Sequence, residues 1–467
     1  MGKKLPCSPE ILMNETPSVI GMMSITLSSG GSFDSAVREI AYNGPKYISS
    51  MFRKIVLDAD CREISDIKRA VTDLVSTFPK SLSSFKRAMQ IAVTAFESGN
   101  PNERAAMMKD AESIVLAGLR TMGESYSSSL NSPCMMIFGL GIMMPMILIS
   151  MLPMLSIGGM FSVSFISSDM VSAIVLVIIP ITVGSMILSI SWKNPFYKAE
   201  LSSSDIRYLI PILSVIPVYI ICARLGFESV LSIVISFASA GIMTFCTIYH
   251  SVLREKERKK TEDALKDALF ELGNRLSMGE NFEVAIRRTF ESKKDCHSLS
   301  CRIERELIIC RGDIESAIMA VTGNISDMMT GYYCDIFRAS LKDVRNAGRL
   351  ATSIAHQLQD QNGVRKDIEN KLKSTTDMMT GTSAVFAPLI LGMSIVMLGP
   401  ISKITGQVFF ENIGTTLAIY LVELAALISM MSSNLMCKGR IIDITARFCI
   451  IMPISLVIFT VCSSFTL

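Results

Sequence analysis

The residues best suited to chemistry in this chain form one cluster of thiols and an imidazole. Cys296, His297, Cys301 and Cys310 lie close together in the sequence. Zinc takes four thiolate or imidazole ligands at tight spacings, whereas the spacings here are irregular. We interpret the cluster as incidental thiols, with a metal site as the alternative.

Motifs for catalysis are missing from the sequence. It contains no GxxxxGK[ST] phosphate loop, no HExxH zinc helix and no GxSxG nucleophile turn. The SxxK pattern at Ser65 to Lys68 is too short to be specific. We therefore predict that the chain is not an enzyme, that it holds no cofactor or metal, and that a partner hydrolyses any ATP that it uses.

One carboxylate lies in the middle of an apolar segment. Glu423 is flanked by Ala-Ile-Tyr-Leu-Val and Leu-Ala-Ala. An ionised carboxylate in a bilayer costs several kcal/mol unless it is protonated or paired. Two interpretations stay open: Glu423 contacts another protein subunit, with or without a cation, or it is a protonated structural group that faces another span.

The composition divides the chain into charged and apolar blocks. Hydrophobic residues make up 50% of the chain and charged residues 19%, and the charges concentrate in about 1–130 and 251–381. A net charge of +3 and a single Trp argue against nucleic acid as a partner. The pattern is that of a membrane protein with two charged domains, here called the first block (1–133) and the second block (251–381).

Apolar runs of about 20 residues predict membrane-spanning helices, because a helix pairs its own backbone groups. We predict an all-α, polytopic membrane protein with about four spans in 134–250 and about three in 382–467. The third run is short and contains Pro211 and Pro217. The seven predicted spans are 134–157, 169–192, 207–224, 227–250, 382–403, 412–436 and 442–465.

Positive charge in the short loops predicts the orientation of the chain. Alternate loops hold Lys193 and Lys198, the run from Arg254 to Lys260, and Lys438 with Arg440, whereas the intervening loops have no Lys or Arg. The excess of Lys and Arg marks the cytoplasmic side. We expect the N-terminus and both blocks inside and the C-terminus outside. The run near Arg254 either fixes this topology at lipid head groups or docks a partner.

Two segments of the blocks share a pattern. Residues 29–38 read SGGSFDSAVR and residues 278–287 read MGENFEVAIR. We call this alignment, which carries Gly30 onto Gly279, the first register. The first register also carries Cys61-Arg62 onto Cys310-Arg311. We predict one helical domain that is used twice.

Glycines mark the expected turns of this repeat. The first register pairs Gly30 with Gly279 and Gly99 with Gly348. A glycine after an apolar helical run supplies the left-handed residue that ends a helix. All four are predicted structural turns.

These residues resemble the F-domain family of type II secretion systems (GspF/PilC/TadC-like). The resemblance rests on the glycine turn before Phe282-Glu-Val-Ala-Ile286 and on Asn346-Ala-Gly-Arg-Leu350, with an apolar span after them. The first block departs from the pattern at Glu97 to Pro101. Seven spans with two such domains are most similar to the archaeal branch, which includes archaellum and adhesion-pilus platforms.

The resemblance implies a platform in the cell membrane that binds a hexameric secretion ATPase on the cytoplasmic side. It also implies pilin-like subunits as partners, contact with membrane lipid, and a homodimer. Glu423 then becomes a candidate contact for pilin. The candidate surface for the ATPase consists of the basic residues Arg287, Arg288, Arg302 and Arg305.

A secondary transporter is the alternative function. Transporters carry several polar groups inside the membrane at matched positions of two halves, together with broken helices. Glu423 stands nearly alone in the apolar segments, and the repeat is clearest in the charged blocks. The sequence therefore favours the platform over the transporter.

Overall fold

A computed structural model shows a chain built of α-helices, with no strand among the residues that it describes. The coarse prediction of an all-helical membrane protein is confirmed. The structure describes residues 9–28, 30–157, 168–192, 194, 215–225, 229–293, 296–323, 325–405, 413–436 and 441–464.

The first block folds into a series of α-helices before the chain becomes apolar. They are α1 (Pro9–Ser28), α2 (Phe33–Asn43), α3 (Lys46–Asp60), α4 (Ile67–Ser76), α5 (Ser83–Glu97) and α6 (Pro101–Ser129).

The second block has the same order of helices. They are α12 (Ser229–Ser277), α13 (Phe282–Ser292), α14 (His297–Ile309), α15 (Ile314–Thr322), α16 (Asp327–Ser340) and α17 (Val344–Gly381). Helix α12 begins in an apolar segment and continues without a break into the second block.

The apolar segments form the other helices of the described part. They are α7 (Asn131–Phe138), α8 (Met144–Ile157), α9 (Ser168–Ala173), α10 (Ile179–Trp192), α11 (Val215–Arg224), α18 (Ala387–Thr405), α19 (Ile413–Leu435) and α20 (Ile441–Ser464). π-Helical turns interrupt these segments at Gly139–Met143, Ile174–Ile178 and Thr382–Phe386.

Six helices of the described part are long and apolar enough to cross a membrane, so the protein is a multi-pass membrane protein. Most of the predicted third span (207–224) lies outside the described residues, which include only its end in α11. The six helical stretches are Pro101–Met151, Ile174–Trp192, Val230–Ser277, Val344–Met397, Ile413–Leu435 and Ile442–Ser464.

The chain forms two compact units, and each contains parts of both halves of the sequence. The charged unit comprises Met1–Gly123 and Leu253–Ile368, and the apolar unit comprises Glu124–Val252 and Glu369–Leu467. The two charged blocks therefore fold together rather than as separate bodies. Each block keeps its own hydrophobic core, and Ile25 of α1 also packs against the core of the second block.

The two blocks match in helix boundaries. The first register carries both ends of α2 onto both ends of α13, and the last residues of α1 and α3 onto those of α12 and α14. Among the described residues, four of the five with positive φ follow the same register, from Gly30 (78°) to Gly279 (90°) and from Arg62 (61°) to Arg311 (53°). The fifth, Gly312 (86°), corresponds to Glu63, whose φ is not positive. A left-handed residue other than glycine costs about 1–2 kcal/mol. Its recurrence at one place in both blocks indicates the same turn geometry.

Hydrogen bonds of the first turn match as well. The amide of Gly30 donates to the carbonyl of Leu27 at 3.0 Å, and the amide of Gly279 donates to that of Leu276 at 2.9 Å. Such bonds satisfy the last carbonyls of a helix, which have no partner within it. Gly30 and Gly279 thus end α1 and α12 in the same way.

The correspondence changes register beyond α4 and α15, because the connections around α15 are shorter. We define the second register by the correspondence of Ser191 with Asn434. It carries the last residue of α5 onto the last residue of α16, and the first residue of α6 onto the first residue of α17. It also carries the π-turn Gly139–Met143 onto Thr382–Phe386, and the end of α10 onto the end of α19. The correspondence therefore extends into the apolar unit.

The change of register corrects one predicted pair of turns. Gly99 lies in the connection between α5 and α6, but Gly348 lies inside α17. In the second register, Gly348 corresponds to Ala105. Gly348 instead lies where α17 crosses α12. A Cβ at this position would collide with the backbone amide of Ser277 and would lie 2.8 Å from the carbonyl oxygen of Gly273.

We predict that Gly348→Ala destabilises the protein by about 1–3 kcal/mol, because backbone atoms of α12 must move to admit the methyl group. The matched control is Gly363→Ala in the same helix, where a Cβ would meet nothing within 4 Å. That change should be neutral or stabilising by up to about 1 kcal/mol, since alanine favours a helix. Thermal unfolding of the detergent-solubilised variants measures both, and equal shifts would contradict the close crossing.

Candidate functional site

The thiol cluster of the second block does not converge in the fold. Cys296 is buried in the core, Cys301 is exposed, and Cys310 follows the end of α14. Among the described residues, no group of three or more His, Cys, Asp or Glu side chains is placed to hold a metal ion.

The four candidate arginines fall into two classes. Arg287 pairs with Glu304 at 3.2 Å, and Arg288 pairs with Glu280 at 3.0 Å. Arg302 and Arg305 are exposed on α14, and neither makes an ion pair within the described part of the chain. Only the second pair presents unneutralised charge, because the guanidinium groups of the first are satisfied within the bundle.

Equivalent helices of the apolar unit pack against each other at equivalent positions. A Cβ on Gly184 of α10 would lie 3.5 Å from the side chain of Leu427 on α19, its counterpart in the second register. Near the end of both helices, the amide of Asn434 donates to the hydroxyl of its counterpart Ser191 at 2.9 Å. The contacts follow the same order along both helices, so α10 and α19 run parallel. Contacts between corresponding residues of two parallel helices indicate that a local two-fold axis relates α10 to α19.

A buried asparagine side chain forms a further hydrogen bond at the end of α10 and α19. Buried Asn194 donates to the carbonyl oxygen of Asn434 at 2.8 Å. The last carbonyls of a helix have no partner within it, and a buried one costs free energy if it stays unpaired. Asn194 therefore stabilises the end of α19, and α10 and α19 are joined by hydrogen bonds as well as by apolar contact.

A tyrosine hydroxyl donates a hydrogen bond to the backbone of a π-turn. The hydroxyl of Tyr420 on α19 donates to the carbonyl oxygen of Gly141, inside the turn Gly139–Met143. A π-turn disturbs the regular i to i−4 bonding and leaves carbonyls in need of other donors. A Cβ on Gly141 would lie 3.3 Å from Leu424, so the position accepts only a small residue without adjustment.

Glu423 lies one turn beyond Tyr420 on α19. Its side chain is half-buried, and its Oε2 atom is buried without a hydrogen-bond partner in the described part of the chain. One carboxyl oxygen is therefore held inside the apolar unit, and both interpretations of Glu423 stay open.

Arg447 is an intramembrane charge that the sequence pattern did not single out. It lies on α20, is half-buried, and donates to the hydroxyl of Ser432 on α19 at 3.1 Å. The carboxylates of Asp443 and Asp377 provide negative charge nearby. The sequence did contain a signal for Arg447, since an arginine within the predicted span 442–465 is unusual. The proximity of Arg447 to Asp377 depends on the fold and does not follow from the sequence.

A largely buried carboxyl lies where the two blocks meet in the charged unit. Burial, and then the carboxylates of Glu39 and Glu315, raise the pKa of Asp335 on α16 to about 6, against the attraction of Arg338. Glu39 belongs to α2 of the first block. The like charges of Asp335 and Glu39 make this contact between the blocks sensitive to protonation.

Comparison of the chain with protein-family models, with curated proteins and with solved structures gave no match.

We predict that stability falls as the pH rises through about 6, and that Asp335→Asn reduces this fall. With the pKa raised to about 6, the folded protein keeps a proton that the unfolded chain loses near pH 4, so the stabilisation is complete at low pH and is lost above pH 6. The effect is on the order of 1 kcal/mol once solvent screening is included.

Melting temperatures at pH 5 and pH 8 test this prediction. The difference between the two pH values should be smaller by a few degrees in Asp335→Asn than in wild type. Asp73→Asn changes an exposed carboxylate of α4 and should keep the wild-type difference. A wild-type difference in Asp335→Asn would contradict the assignment.

Proposed function

We propose that this protein is the membrane platform of a type IV pilus-like assembly or secretion machine. In this role it couples a cytoplasmic hexameric ATPase to the insertion of pilin-like subunits into a filament. The chain does so as a passive mechanical part and a homodimer in the cell membrane, with the N-terminus inside and the C-terminus outside.

The observation that carries the proposal is the matched set of turns in the two halves. Positive φ at Gly30 and Gly279 and at Arg62 and Arg311 coincides in the first register, and two of the π-turns coincide in the second. These matches support one helical F domain used twice, each copy continuing into apolar helices. The resemblance in sequence at Phe282–Ile286 points to the same family.

Two further features support a mechanical role. The blocks share one compact unit, in which Arg120 pairs with Asp367 at 2.9 Å and a Cβ on Gly123 would touch Ile368. A force applied to either block would therefore be carried by α6 and α17 together, so the charged unit gives a motor a stiff body to push or turn.

A secondary transporter remains the second candidate, and one observation favours it. The apolar unit pairs α10 with α19 at equivalent positions, and it holds Glu423 and Arg447 among apolar helices. Parallel repeats with intramembrane polar groups are common in transporters. Uptake of a solute by vesicles that contain the purified protein would support this function over the platform.

The proposed orientation predicts the result of C-terminal fusions. Alkaline phosphatase fused after Leu467 should be active, because the enzyme folds only outside the cytoplasm. Green fluorescent protein at the same place should be dark in an export pathway that unfolds its cargo. The reverse result would place both termini on one side and would contradict seven spans.

Deletion of the protein in its own cell should abolish the filament, and Glu423→Gln should reduce filament number at least tenfold. The amide keeps the shape of the side chain but removes its charge and its capacity to exchange a proton. Electron microscopy counts the filaments, and membrane abundance and melting temperature should stay at wild-type values.

The control for that experiment is Glu103→Gln on α6, which changes a carboxylate of the charged unit. Normal filaments with Glu423→Gln would make Glu423 a structural group. Normal filaments after deletion of the whole protein would refute the platform.

A further inference from the structure

Several strongly exposed apolar side chains of the charged unit lie at one end of the second block. Met278, Ile308, Ile309 and Leu341 are 81%, 80%, 63% and 71% exposed. Single exposed apolar residues are ordinary, but clustered ones mark interaction sites. These four belong to the connections α12–α13, α14–α15 and α16–α17 or to the helix ends beside them.

Three contacts hold these connections together at one end of the bundle. The ring of Phe282 lies 5.2 Å from that of Phe337, which joins the start of α13 to the end of α16. Arg338 pairs with Glu315, which joins the end of α16 to the start of α15. The crossing at Gly348 places the start of α17 against the end of α12. We call this surface the second-block tip, comprising residues 278–281, 308–313 and 341–345.

The corresponding surface of the first block is more polar. The first register carries Ile308 and Ile309 onto Ala59 and Asp60, and the second register carries Leu341 onto Ser98. Asp60 pairs with Arg38 at 2.6 Å. The backbone turns match between the blocks, so the turns themselves do not require apolar side chains at these positions. The stability of the turns therefore does not explain why Ile308, Ile309 and Leu341 are apolar.

The second-block tip holds as many acids as bases, but its acids and its bases differ in their partners. Its acids are used within the bundle, because Glu280 pairs with Arg288 while Asp313 and Asp343 accept hydrogen bonds from the first amides of α15 and α17.

The neighbouring cations form no ion pair within the described part of the chain. They are the exposed residues Arg305, Arg311, Lys342 and Arg345. The tip therefore has an apolar centre, and the charges around it that are not engaged within the described bundle are cations.

We propose that the second-block tip docks a protein whose contact surface has an apolar centre rimmed by carboxylates. Resting on the proposed function, the tip is assigned to the hexameric secretion ATPase, whereas the first block does not make this contact. The candidate surface thus moves from Arg287 and Arg288, which are paired within the bundle, to the apolar residues and unpaired cations of the tip.

A second copy of the same tip fits the surface less well. It would bring the unpaired cations Arg311, Lys342 and Arg345 against their own kind, and like charges at an interface disfavour association.

Binding of the purified hexameric ATPase of the same cell to the full-length protein in lipid nanodiscs tests the proposal. Leu341→Glu and Ile308→Glu, made separately, should each weaken binding at least tenfold, because each places a carboxylate in the apolar centre of the interface. The matched control is Leu57→Glu, which changes an exposed residue of the first block, 54% exposed, and should alter binding less than twofold.

The variant Arg345→Glu provides a second readout that does not depend on the apolar centre. It should weaken binding and reduce its dependence on salt, because an attractive charge pair is lost. All four variants change exposed side chains, and melting temperatures at the wild-type value identify those that fold.

Failure of the tip and failure of the proposed function give different results. If the wild-type protein binds the ATPase and the tip variants bind equally well, the tip is not the docking surface and the platform function stands. If the wild-type protein does not bind the ATPase, both proposals are wrong. Conversion of a dimer to a monomer by Ile308→Glu, measured by light scattering, would make a second copy the occupant and overturn the assignment.

Discussion

The two halves of the chain meet along corresponding helices in both units. In the apolar unit, α10 lies against α19 and α8 against α18. In the charged unit, α6 lies beside α17 through Arg120 and Asp367. Apolar helices gain little from burial away from lipid, so close packing and hydrogen bonds such as Asn434 to Ser191 must hold them. Equivalent positions then meet because both halves present the same surface.

The turns are kept between the halves while the side chains on them diverge. Arg62 and Arg311 both occupy a left-handed conformation that glycine would adopt with less strain. The surfaces beside them differ, with Asp60 paired to Arg38 in one block and Ile309 exposed in the other. Corresponding turns therefore carry a paired side chain in one block and an exposed apolar side chain in the other.

Much of the architecture could be predicted because its causes are local. The apolar runs predicted the six long apolar helices of the described part, and glycine after a helix predicted the turns at Gly30 and Gly279. The predicted pairing of Gly99 with Gly348 was wrong, because connections of different length change the register between the two blocks. The residue pattern of the helices does not show where such a change occurs. The pairing of Arg287 with Glu304 was also inaccessible, since the two residues are brought together by the packing of α13 on α14.

The sequence by itself determined the helical class, the membrane-spanning character and the glycine turns at Gly30 and Gly279, because hydropathy and helix-ending residues act within a few positions of the chain. Only the tertiary structure decided that both blocks fold into one unit, that Gly348 is a crossing point, and that Met278, Ile308 and Leu341 share one end. Those features depend on which helix faces meet, and that choice is made by packing between residues far apart in the chain.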